Sequence, residues 1–161
     1  MTNNKKLNIW DLNISKKNTF TTKIPQETRN LGTAFAALLK SGDIIFLKGN
    51  IGSGKTTFVQ GVVKAFSNKS FARSSSFILV NEYKIPNNLK LFHLDMYRLE
   101  PSSVWDIGIE EYIYSNNISL IEWADKLIGA EKDNHWSVEI ENLTVGRKIT
   151  IENTKKIIEK L

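Results

Sequence analysis

At 161 residues the chain is about the size of one domain, and 41% hydrophobic with 24% charged residues is the composition of a folded globule with one core. No window approaches the roughly 18 consecutive apolar residues of a membrane span, and the first residues lack the apolar run of a secretory signal, so a cytoplasmic setting is expected. The absence of cysteine excludes disulfides, thiolate metal sites and a cysteine nucleophile, and two histidines cannot build a zinc site alone. The net charge of +5 is 22 basic against 17 acidic residues, and the basic ones are 18 Lys to 4 Arg, scattered without a basic face or aromatic-interleaved patch, which argues against direct nucleic-acid binding.

In chain order, residues 1–16 are an Asn/Lys-rich stretch expected to be a flexible extension, followed by a single domain over 17–153 and a short tail over 154–161. Residues 17–24 alternate loosely around Phe20 and Ile24 and predict an edge strand. Leu31, Phe35, Leu38 and Leu39 fall at helical spacing, predicting an amphipathic helix over 26–40 stopped at Ser41 and Gly42. Residues 43–48 form a short continuous apolar run, the mark of a strand covered on both faces. After a glycine-rich turn, Phe58, Val62, Ala65 and Phe66 resume helical spacing.

Residues 77–85 and 89–97 predict two strands joined across Pro86, Asn87 and Asn88, a composition that favours an antiparallel hairpin. Helical pieces broken around Gly108 are expected over 102–116, then an apolar strand over 118–123. Two last strands, 135–143 and 147–151, meet at a turn near Gly146. Helices alternating with buried strands in the first half predict an α/β fold: a three-layer, P-loop NTPase-like mixed sheet with antiparallel hairpin additions.

The strongest chemical signal is Gly49, Asn50, Ile51, Gly52, Ser53, Gly54, Lys55 and Thr56, a complete G-x-x-x-x-G-K-[ST] phosphate loop. It follows an apolar strand and opens a helix, so backbone N–H groups of 51–56 can turn inward around a phosphate chain at the positive helix end. Lys55 is placed to reach the β and γ phosphates of ATP, the Thr56 hydroxyl to ligate Mg²⁺, and Thr57 to meet the α-phosphate. Mg²⁺ needs an acidic partner to complete its octahedron. Asp95 and Glu122 both stand at the ends of apolar strands, where ligands of open α/β sheets collect, and either could face the metal. His93 shares a strand face with Asp95; packing is the preferred reading over nucleotide contact. Trp123 fits equally a core position or an exposed docking residue, and Arg98, one of four arginines, reads as a pairing residue.

These residues resemble the TsaE (YjeE) family over about residues 24–151. The resemblance rests on the phosphate loop with its second threonine, on Ser75 to Tyr83, on His93, Asp95, Tyr97, Arg98 and Leu99, on residues 107–112, and on Leu120, Ile121, Glu122 and Trp123. It implies a Mg²⁺-dependent ATPase of tRNA threonylcarbamoyladenosine biosynthesis. In that role it hydrolyses ATP to reset the TsaD–TsaB threonylcarbamoyltransferase complex, and tRNA is reached only through those partners. It implies further that Thr56 and Glu122 ligate the metal, that Asp95 is essential for hydrolysis, and that Trp123 supports activity. By the same carry-over Arg147 contacts the nucleotide and Pro25 belongs to the adenine wall.

The family usually reads Ser-Pro-Thr-Phe where this chain has Ser74, Ser75, Ser76 and Phe77, so the segment keeps hydroxyls but loses a fixed φ. Ser75 and Ser76 are the candidate switch that senses the γ-phosphate. The family's proline after Glu-Trp is Ala124 here. Two other readings compete: a small-molecule kinase of shikimate-kinase type, which would hold its acceptor with clustered arginines this chain does not have, and a nucleotide-gated interaction module. Nothing else in the chain reads as a second-substrate site, so ATP hydrolysis is expected to be slow alone and coupled to a partner.

Overall fold

The structure is a computed structural model that describes residues 17–67, 80–127 and 135–154. The expectations for 1–16, for Ser75 and Ser76 and for 155–161 lie outside the described residues. Strand β1 (Asn18–Thr22) leads into helix α1 (Pro25–Ala36), then β2 (Ile44–Lys48) and α2 (Lys55–Phe66). Strands β3 (Val80–Ile85) and β4 (Leu89–Asp95) follow, then two 3-10 turns (Pro101–Ser103 and Trp105–Ile107) and the short helix α3 (Glu110–Ile113). Strand β5 (Ile118–Glu122) is followed by a 3-10 turn (Ala124–Lys126), β6 (Trp136–Asn142) and β7 (Arg147–Asn153).

The seven strands form one sheet in the order β1-β7-β6-β2-β5-β4-β3. The centre is parallel, with β2 between β5 and β6 and with β4 on the far side of β5. The outer pairs β1/β7, β6/β7 and β3/β4 are antiparallel. The mixed sheet with antiparallel hairpins agrees with the predicted α/β fold. Its β3–β4 turn crosses Pro86, Asn87 and Asn88 between the paired Ile85 and Leu89, with Asn87 at φ 63° and Asn88 at φ 58°, left-handed conformations that asparagine tolerates.

Alternation along the strands divides the core between the two faces. Ile45, Leu47, Leu120 and Val138 pack against Leu31 and Phe35 of α1 and Phe58 and Val62 of α2. Phe46, Phe92, Leu94 and Ile121 face the other way, under Val104, Ile109, Ile113 and Leu127. The two long helices touch backbone to backbone: a Cβ on Gly61 would lie 2.0 Å from the Arg29 carbonyl oxygen, and one on Gly32 2.2 Å from that of Phe58. That approach presses the start of α1 toward the loop that opens α2.

Three details depart from the sequence reading. Helix α1 ends at Ala36, not Lys40, because the amides of Ala37, Leu38 and Leu39 bond three residues back in a tightened turn that folds Leu38 and Leu39 onto the core. On α2 Ala65 is exposed, while Val59 and Val63 join Phe58 and Val62 in the core, because α1 covers a second row of that helix. Strand β5 stops at Glu122, and Trp123 turns away at φ 60°.

Candidate functional site

The phosphate loop leaves β2, the middle strand of the parallel centre, and runs into the first turn of α2. Gly49 sits at φ 143°, and a Cβ there would lie 2.4 Å from the Ile140 carbonyl oxygen and 2.7 Å from Ser53 Oγ, so only glycine lets the loop close down on β6. Ser53 is fully buried inside the loop, its amide bonded to the Asn50 carbonyl at 3.1 Å. The Lys55 ammonium lies along the loop, donating to the Gly49 carbonyl at 2.7 Å and the Asn50 carbonyl at 3.0 Å. Burial pushes its pKa below the usual lysine range, against the pull of Glu122, Asp95 and Asp125.

Parallel pairing of β4 with β5 sets Asp95 directly beside Glu122, and pairing of β2 with β5 sets Glu122 beside Leu47 at the root of the loop. The two acids nominated from strand ends therefore meet, and they meet at the loop. Glu122 is the buried one, 2% exposed, because it continues the inward row of Ile118 and Leu120. A buried carboxylate is tolerated when both oxygens are hydrogen-bonded. Here Oε2 accepts from the Thr56 hydroxyl at 3.1 Å and Oε1 pairs with His93 Nε2 at 2.8 Å. His93, preferred as packing, is thus bonded to the candidate metal acid. Half-buried Asp95 accepts the Tyr97 amide at 3.0 Å on the rim.

Trp123 is half-buried, which combines the two positions considered for it. Its left-handed φ of 60° costs a bulky residue about 1–3 kcal/mol, the kind of strain that concentrates at functional sites. The turn brings the indole ring to 4.0 Å from Lys55 Nζ and 5.0 Å from the Tyr97 ring. Lys126 donates to the carbonyls of Tyr97 and Leu99, tying the segment after β4 to the segment after β5.

Two clefts flank the loop and share Gly52, Gly54 and Thr57. The wider, about 280 Å³, is lined by Ile51, Lys55, Thr56, Asp95, Tyr97, Glu122 and Trp123. The narrower, about 160 Å³, lies between Pro25 at the first turn of α1, the end of β1 and the start of β7. Thr22, Lys23, Ile24, Thr28, Gly146 and Arg147 complete it. The Arg147 guanidinium is turned into the loop, with Nε donating to the Ser53 carbonyl at 2.8 Å and Nη2 to the Gly52 carbonyl at 3.2 Å. It braces the loop as well as lining the cleft. Asn50 and Ser53 line neither cleft; their carbonyls receive Lys55 and Arg147.

Sequence reading did not nominate Thr22, Thr28 or Tyr97 as cleft residues. Thr22 and Thr28 are both buried, with hydroxyls 2.8 Å apart. The available signal was their position, at a strand end and in the first turn of the following helix. Among the described residues no three His, Cys, Asp or Glu side chains gather into a metal cluster by themselves. A cation beside Thr56 would meet a hydroxyl and a carboxylate with a second carboxylate on the next strand, hard oxygen donors of the kind Mg²⁺ takes together with substrate phosphates.

A glycine-rich loop between a central parallel strand and a helix, faced by a strand-end carboxylate, defines a P-loop-type nucleotide-binding protein. Residues 22–149 match the family model described as threonylcarbamoyl adenosine biosynthesis protein TsaE, and the chain belongs to that family. The tRNA threonylcarbamoyladenosine biosynthesis protein TsaE of Bacillus subtilis is 37% identical over 100 residues, which is 62% of this chain and 62% of that protein. The match therefore spans less than two thirds of that relative's length. The Rickettsia bellii protein of the same name is 39% identical over 102 residues, 62% of this chain and 69% of its own length. The Treponema pallidum protein is 30% identical over 128 residues, 78% of this chain and 93% of its own. The crystal structure of Bacillus subtilis YdiB superposes with a TM-score of 0.71 at 28% identity, covering 86% of both chains.

Proposed function

We propose that this chain, in the cytoplasm, binds and hydrolyses ATP with Mg²⁺, slowly on its own, to support turnover of the TsaD–TsaB threonylcarbamoyltransferase complex in making N6-threonylcarbamoyladenosine in tRNA. Family membership supports the pathway. The observation that carries the ATPase reading is the Thr56 hydroxyl of the loop bonded to the buried carboxylate of Glu122, with Lys55 beside them.

In this reading the phosphate chain of ATP occupies the N–H groups of 51–56, and Lys55 exchanges the carbonyls of Gly49 and Asn50 for β- and γ-phosphate oxygens. Thr56 and Glu122 hold Mg²⁺, which when bound neutralises charge developing on the phosphates. Asp95, on the rim of the same cleft, orients the attacking water and takes its proton as the water oxygen bonds to the γ-phosphorus and the bond to the β–γ bridging oxygen breaks. Arg147 keeps the loop in its binding shape, and the base lies against Pro25 with Thr22 and Thr28 at its edge.

The test is ATP hydrolysis by the pure chain, with and without the TsaD–TsaB pair, beside a tRNA modification assay. The reading expects slow turnover alone, faster turnover with the pair, and modification that stops when Lys55 is replaced by alanine. Modification unaffected by that replacement would remove the chain from the ATP-dependent step.

A further inference from the structure

His93 lies on β4 with Asn81 of β3 opposite it on one side and Leu120 of β5 on the other, and it is 1% exposed. A side chain enclosed by strands on both sides holds one orientation, so its ring nitrogen is a fixed point from which a neighbour can be held. Glu122 sits on the adjacent strand two residues beyond Leu120, and as a carboxylate it only accepts hydrogen bonds, so the proton of the 2.8 Å contact belongs to His93 Nε2. The carboxylate is held from behind through Oε1 and offers Oε2 to the Thr56 hydroxyl, which is the side of the phosphate loop.

We propose that His93 is a positioning residue that fixes which oxygen of Glu122 faces the metal and the phosphate loop. The proposal rests on the metal role assigned to Glu122 above. A histidine that only filled space would not need its nitrogen at hydrogen-bond distance from one oxygen while a loop hydroxyl holds the other. Outer partners of this kind orient carboxylate ligands, and losing one costs about 10–100-fold in metal affinity. The effect falls on the metal: the bond that is lost is to Glu122, while the loop amides, Lys55 and Arg147 carry the affinity for nucleotide without metal.

The experiment compares His93→Leu, which has no donor, with His93→Gln, which carries an N–H to a similar reach, and with His93→Asn, which falls short. ADP binding is measured by calorimetry without metal and across a Mg²⁺ titration, and Mn²⁺ bound to the ADP complex is followed by electron paramagnetic resonance. In His93→Leu and His93→Asn the half-saturating metal concentration rises about tenfold or more while metal-free ADP affinity stays within twofold, and His93→Gln restores metal binding to within about threefold of wild type. If His93→Leu does not fold, the Gln and Asn variants decide between reach and bulk. Folded His93→Leu or His93→Asn with the wild-type metal titration overturns this proposal alone. Wild-type protein that binds ADP equally with and without metal overturns it together with the metal reading beneath it.

Discussion

The two clefts beside the loop, which the proposed function gives to the phosphates (the phosphate end) and to the base (the base end), are built in different ways. The phosphate end is one contiguous loop plus the ends of β4 and β5, strands that pair in register beside β2. The base end is assembled from the end of β1, the start of α1 and the start of β7, with Thr22 and Arg147 paired across two strands more than a hundred residues apart in sequence. The phosphate end is thus set mainly by local backbone, whereas the base end depends on long-range packing, namely the close contact of α1 with α2 and the antiparallel edge. Damage to the first should remove chemistry, and damage to the second should loosen binding or the fold.

The largest effect is expected from Lys55→Ala at the phosphate end. It removes the ammonium from the cleft and should lower single-turnover hydrolysis by about 10²–10³-fold, with ATP affinity reduced in calorimetry of the folded variant. At the base end, Gly61→Ala tests whether the helix contact carries the geometry. A methyl 2.0 Å from the Arg29 carbonyl forces α1 outward, costing about 1–3 kcal/mol in a urea melt and weakening nucleotide binding without touching a cleft residue. Normal stability would show that the helices adapt and that the base end is less dependent on them.

Arg147→Ala probes the point where the two ends join. It deletes the donors held by the Gly52 and Ser53 carbonyls, and about a tenfold loss of nucleotide affinity in calorimetry is expected. The smallest effect belongs to Thr28→Val, which leaves the Thr22 hydroxyl without this partner: KM for ATP should rise by about 2–5-fold with kcat unchanged. A fall in kcat instead would move that pair from binding to chemistry.

The same contrast explains how much could be read from the sequence. The loop was legible because its glycines, lysine and hydroxyl must be neighbours in the chain, and the β3–β4 hairpin because Pro86, Asn87 and Asn88 carry the turn chemistry themselves. Asp95 and Glu122 were nominated from strand ends, but which acid meets Thr56 depends on the register of two parallel strands, which no local pattern encodes. The His93–Glu122 bond was missed for that reason, since a histidine two residues before an acid looks like packing until the next strand is laid beside it. The end of α1 was overrun because Leu38 and Leu39 keep helical spacing while the backbone tightens, and Ala65 was chosen over Val59 and Val63 because one amphipathic row does not reveal a second helix packed on another.

The central claim is that Glu122 holds the metal that hydrolysis needs, beside a loop that binds nucleotide without it. Single-turnover ATP hydrolysis by Glu122→Gln, measured beside ATP affinity on the same folded sample, tests it most directly. The account predicts hydrolysis reduced by about 10²-fold or more with affinity within about tenfold of wild type. Wild-type hydrolysis in that variant would contradict it and move the metal's carboxylate ligand elsewhere.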